Sequence, residues 1–181
     1  PNILVHVECE LNSLADWSVL GDWIGKQVLP GWRLPWGPMP FIRGLPARAR
    51  FARKKALTAA AANYGTPMLW AEGLSQNPPL VQSGDGAWSK PEGGWQGELV
   101  FTAEDLASRY AELAPQGQVD LVVIGCPQAS LEEIRITASA VRSYAEMGAK
   151  IPDERLWVFT SGANYDLAVA DGSIEMLEQA G

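Results

Sequence analysis

The fold is decided by the stretch Val119-Asp120-Leu121-Val122-Val123-Ile124-Gly125-Cys126-Pro127-Gln128-Ala129-Ser130-Leu131-Glu132-Glu133. An apolar run typical of a buried strand ends at Gly125-Cys126-Pro127, and Ser130 with Glu133 has the form of a capping box that begins a helix. The pattern predicts that Cys126 lies at the carboxyl end of a strand and faces a helix N-terminus. Open α/β sheets bind ligands at such strand ends. The unpaired N–H groups of a helix start favour anions, including a thiolate or a substrate carboxylate.

Strand and helix patterns alternate along the rest of the chain. This alternation predicts an α/β fold in three layers, with a mainly parallel sheet and helices on both faces. We expect two parts: residues 1–98, with loops rich in proline, glycine and tryptophan, and residues 99–181, a βαβα part that carries Gly-Cys-Pro; the two can form one continuous domain. Strands are predicted at 3–7, 67–70, 99–101, 119–124 and 156–160, helices at 14–28, 47–64, 103–113, from 131, at 163–171 and at 174–180, and loops at 30–40 and 73–97.

Composition excludes several classes of function. A net charge of −7 over 181 residues argues against nucleic acid and anionic membranes as partners, whereas local donors can still bind a small anionic substrate. The sequence contains no apolar run long enough to span a bilayer. Two cysteines do not make a disulfide framework, so we expect a cytoplasmic protein. The start at Pro1 and the end directly after a helical segment indicate a piece of a longer protein, although a trimmed chain would look the same.

Cys126 is the first candidate site residue, and three interpretations of it stay open. A free cysteine is often an inert, buried thiol. A nucleophile needs a nearby base, and the single histidine, His6, lies in the first predicted strand. A metal or cluster ligand needs further ligands from elsewhere.

Other candidates lie at neighbouring junctions between strands and helices. Ser130 and Ser161 are most simply N-caps. If their strands are parallel neighbours, Ser161, Gly162 and nearby backbone N–H groups line an anion pocket beside Cys126. Glu72 follows the strand that ends at Trp70 and is either an acid or base, or merely solvated. The basic group at 48–55 is most simply the solvated face of a helix.

From Gly125 to Glu133 the chain resembles the large, catalytic subunit of the aconitase X family, whose pattern there is Asp-x-Val-x-x-Gly-Cys-Pro-His-x-Ser-x-x-Glu. The similarity covers most of the chain in order. Further matching segments are Ala15-Asp16-Trp17-Ser18-Val19-Leu20-Gly21 with Gly25-Lys26, Lys55-Ala56-Leu57 through Tyr64-Gly65, Met68-Leu69-Trp70-Ala71-Glu72-Gly73-Leu74, Leu156-Trp157-Val158-Phe159-Thr160-Ser161 and Tyr165-Asp166-Leu167-Ala168.

The resemblance implies an aconitase-like fold and an iron–sulfur lyase that dehydrates a hydroxy acid such as 3-hydroxyproline or phosphomevalonate. A small swivelling subunit or fused domain would complete the site. Cys126 would then be one cluster ligand, and the other ligands would lie outside these residues. We take Ser161 and Glu72 as candidate catalytic residues and Gly125, Gln128, Ser130 and Gly162 as candidate substrate-binding residues.

The chain also departs from the family pattern. Gln128 and Trp70 stand where the family has histidines, and Ser75-Gln76-Asn77 replaces Thr-Pro-Glu. We therefore expect a fragment of a hydro-lyase that is inactive alone, because it lacks cluster ligands and the partner domain. The alternatives are a catalytically degenerate α/β module that binds a small molecule, and a thiol enzyme that uses Cys126.

Overall fold

The structure, a computed structural model, describes residues 1–28, 38–66, 68–76, 89, 91, 93–149 and 155–179. It divides into two compact units, Pro1–Ala114 and Pro115–Gly181. The strand at Gly97–Phe101 belongs to the first of these units, because it pairs with the first strand of the chain. Most of the predicted loops at 30–40 and 73–97 and residue Asn77 lie outside the described residues.

The described residues of the first unit form a four-stranded parallel sheet with helices packed on it. The elements are β1 (Ile3–Val7), α1 (Leu14–Val28), β2 (Pro40–Arg43), α2 (Phe51–Ala62), β3 (Trp70–Ala71), β4 (Gly97–Phe101) and α3 (Ala103–Leu113). The strands follow the order β3-β2-β1-β4, so β1 lies in the interior of the sheet between β2 and β4. The sequence did not predict β2, whose residues directly follow a proline-rich segment.

The elements described in the second unit are β5 (Val122–Ala129), α4 (Leu131–Glu146), β6 (Leu156–Thr160), α5 (Gly162–Ala170) and α6 (Ser173–Gln179). β5 and β6 pair in parallel as a two-stranded sheet. The predicted inner face of α4 is largely confirmed, since Ile134, Ala138 and Val141 are buried while Ala145 is exposed. The predicted α/β class with parallel strands is confirmed in both units.

Alternation along the strands places the helices on one face of each sheet in the described part of the chain. Side chains of β1 such as Val5 pack with α1, α2 and α3 in the main core of the first unit. The opposite face carries Leu4 and Phe41, with Trp70 and Trp95 against them. In the second unit, α4, α5 and α6 cover the face that carries Ile124 and Val158. The described helices are also all too short or too polar to cross a membrane.

A buried carboxylate at the start of α1 is held by four hydrogen bonds. Ser13 and Asp16 form reciprocal capping bonds, and Asp16 also accepts hydrogen bonds from the Asn12 N–H at 2.7 Å and the Tyr110 hydroxyl at 2.7 Å. Burial acts to raise the pKa of Asp16, but the hydrogen bonds from Tyr110, Ser13 and Asn12 outweigh it and hold the pKa below its ordinary value.

The charged form of Asp16 therefore stabilises the folded unit above the pKa of an unfolded aspartate, about 3.9, and this contribution is lost as the pH falls through the lower folded pKa. We expect Asp16→Asn to cost about 1 kcal/mol at neutral pH and to flatten the loss of stability below about pH 4. Urea unfolding followed between pH 7 and 2.5 measures both effects, with the exposed Glu104→Gln as control. Equal acid sensitivity of Asp16→Asn and the unmodified chain would contradict the prediction.

Candidate active site at the carboxyl edge of the second sheet

The β5–β6 pair contains a bulge where the Gly-Cys-Pro motif lies. The two strands pair regularly from Val122 opposite Leu156 to Ile124 opposite Val158, and pairing resumes only at Ala129 opposite Thr160. Four residues of β5 therefore stand opposite the single residue Phe159. Because an extra segment in one strand bends it outward, the motif leaves the line of the sheet at this edge.

Hydrogen bonds hold the far end of the bulge in place. The Ala129 carbonyl oxygen accepts from the Thr160 hydroxyl at 2.6 Å and from the side-chain amide of Asn164 at 3.2 Å. Ala129 is fully buried between the strand and the helices. The strand ends are thereby locked together on both sides of the exposed motif.

Gly125 is required where the bulge begins. Its φ of +119° lies in the left-handed region that favours glycine, and a Cβ there would lie 2.2 Å from the carbonyl oxygen of Phe159. The glycine lets the two backbones approach closely, which aims the following residues away from the sheet. Gly125 thus acts through backbone geometry, and no substrate contact is needed to explain it.

Cys126 lies inside the bulge, and its thiol is exposed. The expectation that the strand ends before Cys126 is wrong, because β5 continues to Ala129 after the bulge. The expectation that the strand is buried is also wrong, since Val122 and Val123 are 46% and 51% exposed. Exposure rules out the interpretation of Cys126 as an inert core thiol and leaves the nucleophile and ligand interpretations open.

Ser130 and Ser161 begin adjacent helices at the same sheet edge. Each directly follows one member of the paired residues Ala129 and Thr160, so the requirement that their strands be parallel neighbours is met. Both serines are N-caps: Ser130 accepts from the Glu133 N–H and Ser161 from the Asn164 N–H, each at 3.3 Å. Two helix N-termini therefore open side by side next to the bulge, an arrangement that favours an anion.

The capping hydroxyls of Ser130 and Ser161 differ in whether they can still donate a hydrogen bond to a ligand. The Ser130 N–H donates to the Glu133 carboxylate at 2.7 Å, which completes a capping box, and the Ser130 hydroxyl donates to the same carboxylate at 2.7 Å. No acceptor for the Ser161 hydroxyl proton is found within the described ranges. Gly162 is exposed at the first position of α5, and a Cβ there would meet nothing within 4 Å. Ser161 is thus the capping hydroxyl whose donor can still serve a ligand.

Glu72 belongs to the first unit, directly after β3. Its carboxylate receives a hydrogen bond from Arg43 Nε at 3.3 Å, and its N–H donates to the Ile42 carbonyl oxygen at 2.8 Å. Glu72 thus forms an ion pair with Arg43 at the ends of β2 and β3, with both side chains partly exposed. His6, the histidine considered as a base for Cys126, lies in β1 of this same first unit.

A cluster or metal site is incomplete in the described part of the chain. No group of three or more histidine, cysteine, aspartate or glutamate side chains within it could hold a metal ion. Cys126 alone offers an exposed thiol, and Cys9 is half-buried in the other unit. The observed donors therefore fit a role as one ligand and do not by themselves form a cluster site.

A basic pocket in the first unit was missed from the sequence. It has a volume of about 410 Å³ and lies between the start of α2 and the turn after β3. The residues that line it are Ala47, Arg48, Ala49, Arg50, Lys54, Gly73 and Leu74. We interpreted the basic group at 48–55 as a solvated face, although the absence of any Ser, Thr, Asp or Asn at the helix start was a signal for an open N-terminus.

The fold and these strand ends define a class of protein: a parallel α/β protein with candidate sites at the carboxyl edges of its sheets. Residues 119–181, nearly all of the second unit, match the family described as aconitase X third domain. A phosphomevalonate dehydratase large subunit from Methanothermobacter thermautotrophicus is 32% identical over 179 residues, which cover 98% of this chain and 39% of the relative. The protein of the same name from Thermococcus kodakarensis is 29% identical and is covered to 41%.

A solved structure shares the fold of the whole chain. The crystal structure of Thermococcus kodakaraensis aconitase X in its holo-form matches 99% of this chain with a TM-score of 0.74 at 24% identity, and 41% of that chain is covered. The chain is thus similar to aconitase X proteins along its whole length, and it spans about two-fifths of the length of these relatives.

Proposed function

We propose that this chain is part of a hydro-lyase that dehydrates a small hydroxy acid, with a phosphomevalonate-type substrate favoured over a 3-hydroxyproline-type one. The observation that carries the proposal is the exposed Cys126, held in a bulge beside two helix N-termini. The names of the relatives, phosphomevalonate dehydratase large subunits, support both the reaction and the substrate. We place the enzyme in the cytoplasm.

Dehydration removes a hydroxyl group and a proton from neighbouring carbons. The site must therefore bind the carboxylate of the hydroxy acid and transfer a proton. The helix starts after Ser130 and Ser161 provide backbone N–H donors for a substrate carboxylate, and Gly125, Gln128 and Gly162 shape the surface around it. The Ser161 hydroxyl is the donor that we assign to the reacting centre. Glu72, which pairs with Arg43, is the candidate acid or base of the first unit.

We further propose that Cys126 is one ligand of an iron–sulfur cluster whose remaining ligands come from outside this chain. Such a cluster supplies Lewis-acid chemistry toward a hydroxyl or carboxylate oxygen. A small partner subunit or fused domain would complete the enzyme, in line with the description of the relatives as large subunits.

The proposal is tested with a full-length version that carries this chain, purified without oxygen, supplied with iron and sulfide and mixed with its small partner. We expect a visible-absorbing cluster and loss of water from phosphomevalonate. A clear alternative outcome is colourless protein that still binds a hydroxy acid. That result would favour the degenerate binding module, to which Gln128 and Trp70 point because they replace histidines of the family pattern. Rapid alkylation of Cys126 without metal would instead favour a thiol enzyme.

The hydroxyl of Ser161 can be tested apart from its capping role. Glycine at an N-cap costs only a few tenths of a kcal/mol relative to serine, so Ser161→Gly removes the hydroxyl while α5 stays formed. We expect kcat/KM of the full-length enzyme to fall about 10–100-fold, because a donor at the reacting centre is lost. Thr102→Gly, the same kind of change at the N-cap of α3, is the control and should leave kcat/KM within about twofold. Equal losses of kcat/KM in both variants would show that Ser161 acts only as a helix N-cap.

A further inference from the structure

None of the residues that line the basic pocket of the first unit belongs to the candidate site described above. Of the described residues that line it, Arg48, Arg50 and Lys54 carry positive charge and none carries negative charge. The side chains of Arg48 and Lys54 form no ion pair within the described residues. In a chain with a net charge of −7, such a local concentration of cations attracts anions selectively.

The backbone adds to this positive field. Arg50 occupies the N-cap position of α2 with extended dihedral angles, and its side chain makes no capping hydrogen bond. The first turn of α2 contains no acidic residue. The N–H groups of that turn have no intrahelical partner and carry the positive end of the helix dipole.

The pocket lies where parallel α/β sheets bind ligands. Residues 47–50 belong to the loop that leaves β2, and Gly73 and Leu74 belong to the turn that leaves β3. Because β2 and β3 are parallel neighbours, both loops leave the same carboxyl edge. Gly73, with a φ of +71°, turns the chain there directly after Glu72, the candidate acid or base.

We propose that this pocket binds the phosphoryl group of the small-molecule substrate. Two guanidinium groups and an ammonium group suit a dianionic, tetrahedral oxyanion better than a single carboxylate. A volume of about 410 Å³ is in the range that binds small metabolites. The identification of the ligand as a substrate rests on the proposed hydro-lyase function, whereas oxyanion binding itself does not.

The test is a titration of the 181-residue chain with inorganic phosphate, followed through the backbone amide signals of Ala52 and Arg53. We expect these signals to shift. We expect Lys54→Gln and Arg48→Gln to weaken phosphate binding about tenfold each, the effect of one lost charge-assisted hydrogen bond. Lys55→Gln removes the same charge from the adjacent residue of α2, which does not line the pocket, and should change binding less than about twofold.

Phosphomevalonate is added in a second arm and should displace inorganic phosphate, while acetate at the same concentration should not. Displacement by acetate, or failure of phosphomevalonate to compete, overturns the assignment to a substrate phosphoryl group. Absence of phosphate binding, or equal weakening of phosphate binding by Lys54→Gln and Lys55→Gln, overturns the proposal that this pocket binds an oxyanion. If the pocket binds as expected but the full-length enzyme does not dehydrate phosphomevalonate, the lyase proposal fails and the oxyanion site stands.

Discussion

Gly125→Ala is expected to unfold the bulge and destabilise the second unit by about 4 kcal/mol. Two costs add at this position. A non-glycine residue at a φ of +119° destabilises the folded state by about 1–3 kcal/mol through backbone strain. The new Cβ, 2.2 Å from the Phe159 carbonyl oxygen, meets backbone rather than a flexible side chain, and overpacking of this kind costs about 1–3 kcal/mol more.

Amide hydrogen exchange measures this effect separately in each unit. Peptides that cover 119–131 and 155–170 should exchange much faster in Gly125→Ala, whereas peptides from β1 and α1 should be unchanged. Gly162→Ala is the matched control, because a Cβ there meets nothing within 4 Å and alanine favours a helix. Unchanged protection of β5 and β6 in Gly125→Ala would show that the bulge is not held as described.

The second unit shows which features a sequence can reveal. Capping boxes and apolar periodicity are local, so Ser130 and Ser161, like Thr102 in the first unit, were correctly predicted as N-caps, and the boundaries of the helices that they begin agree within about two residues where both ends were predicted. The bulge is not local, because it depends on the register between β5 and β6. The sequence therefore predicted a strand that ends at the motif, whereas in the structure β5 pairs with β6 again at Ala129.

Burial of β5 was mispredicted for a related reason. A run such as Val122-Val123-Ile124 indicates an apolar strand, but it does not show how many elements cover it. In the described part of the chain, helices cover one face of the β5–β6 sheet, while Trp157 and Phe159 on the other face are 49% and 52% exposed. The sequence also did not indicate β2, because a proline-rich segment directly precedes this four-residue strand. In the sheet, β2 lies between β1 and β3.

The first unit also holds a charged network that no local pattern indicated. Arg109, only 8% exposed, is surrounded by partners from three helices or their ends. It donates to the carboxylates of Asp22 and Glu112 and, at 3.0 Å, to the hydroxyl of Tyr64, which itself donates to Asp22 at 2.9 Å. The hydrogen bond to Asp22 raises the pKa of Arg109, which keeps it charged.

Arg109→Met is therefore expected to cost the first unit about 3–5 kcal/mol, because it leaves the half-buried carboxylate of Asp22 without its cation. Lys26→Met is the control: Lys26 pairs with the same Glu112, but both side chains are about half exposed, and such pairs contribute about 0–1 kcal/mol. Urea unfolding followed by hydrogen exchange in α1 and α3 measures the two losses.

A double variant separates charge from packing. If the penalty comes from an uncompensated carboxylate, Asp22→Leu combined with Arg109→Met should recover most of the lost stability, since apolar residues of similar volume can replace a buried ion pair. The Asp22–Arg109 pair would then fix how α1 packs against α3. If Arg109→Met costs no more than Lys26→Met, or if the double variant is as unstable as the sum of its parts, the network does not hold these helices together through charge.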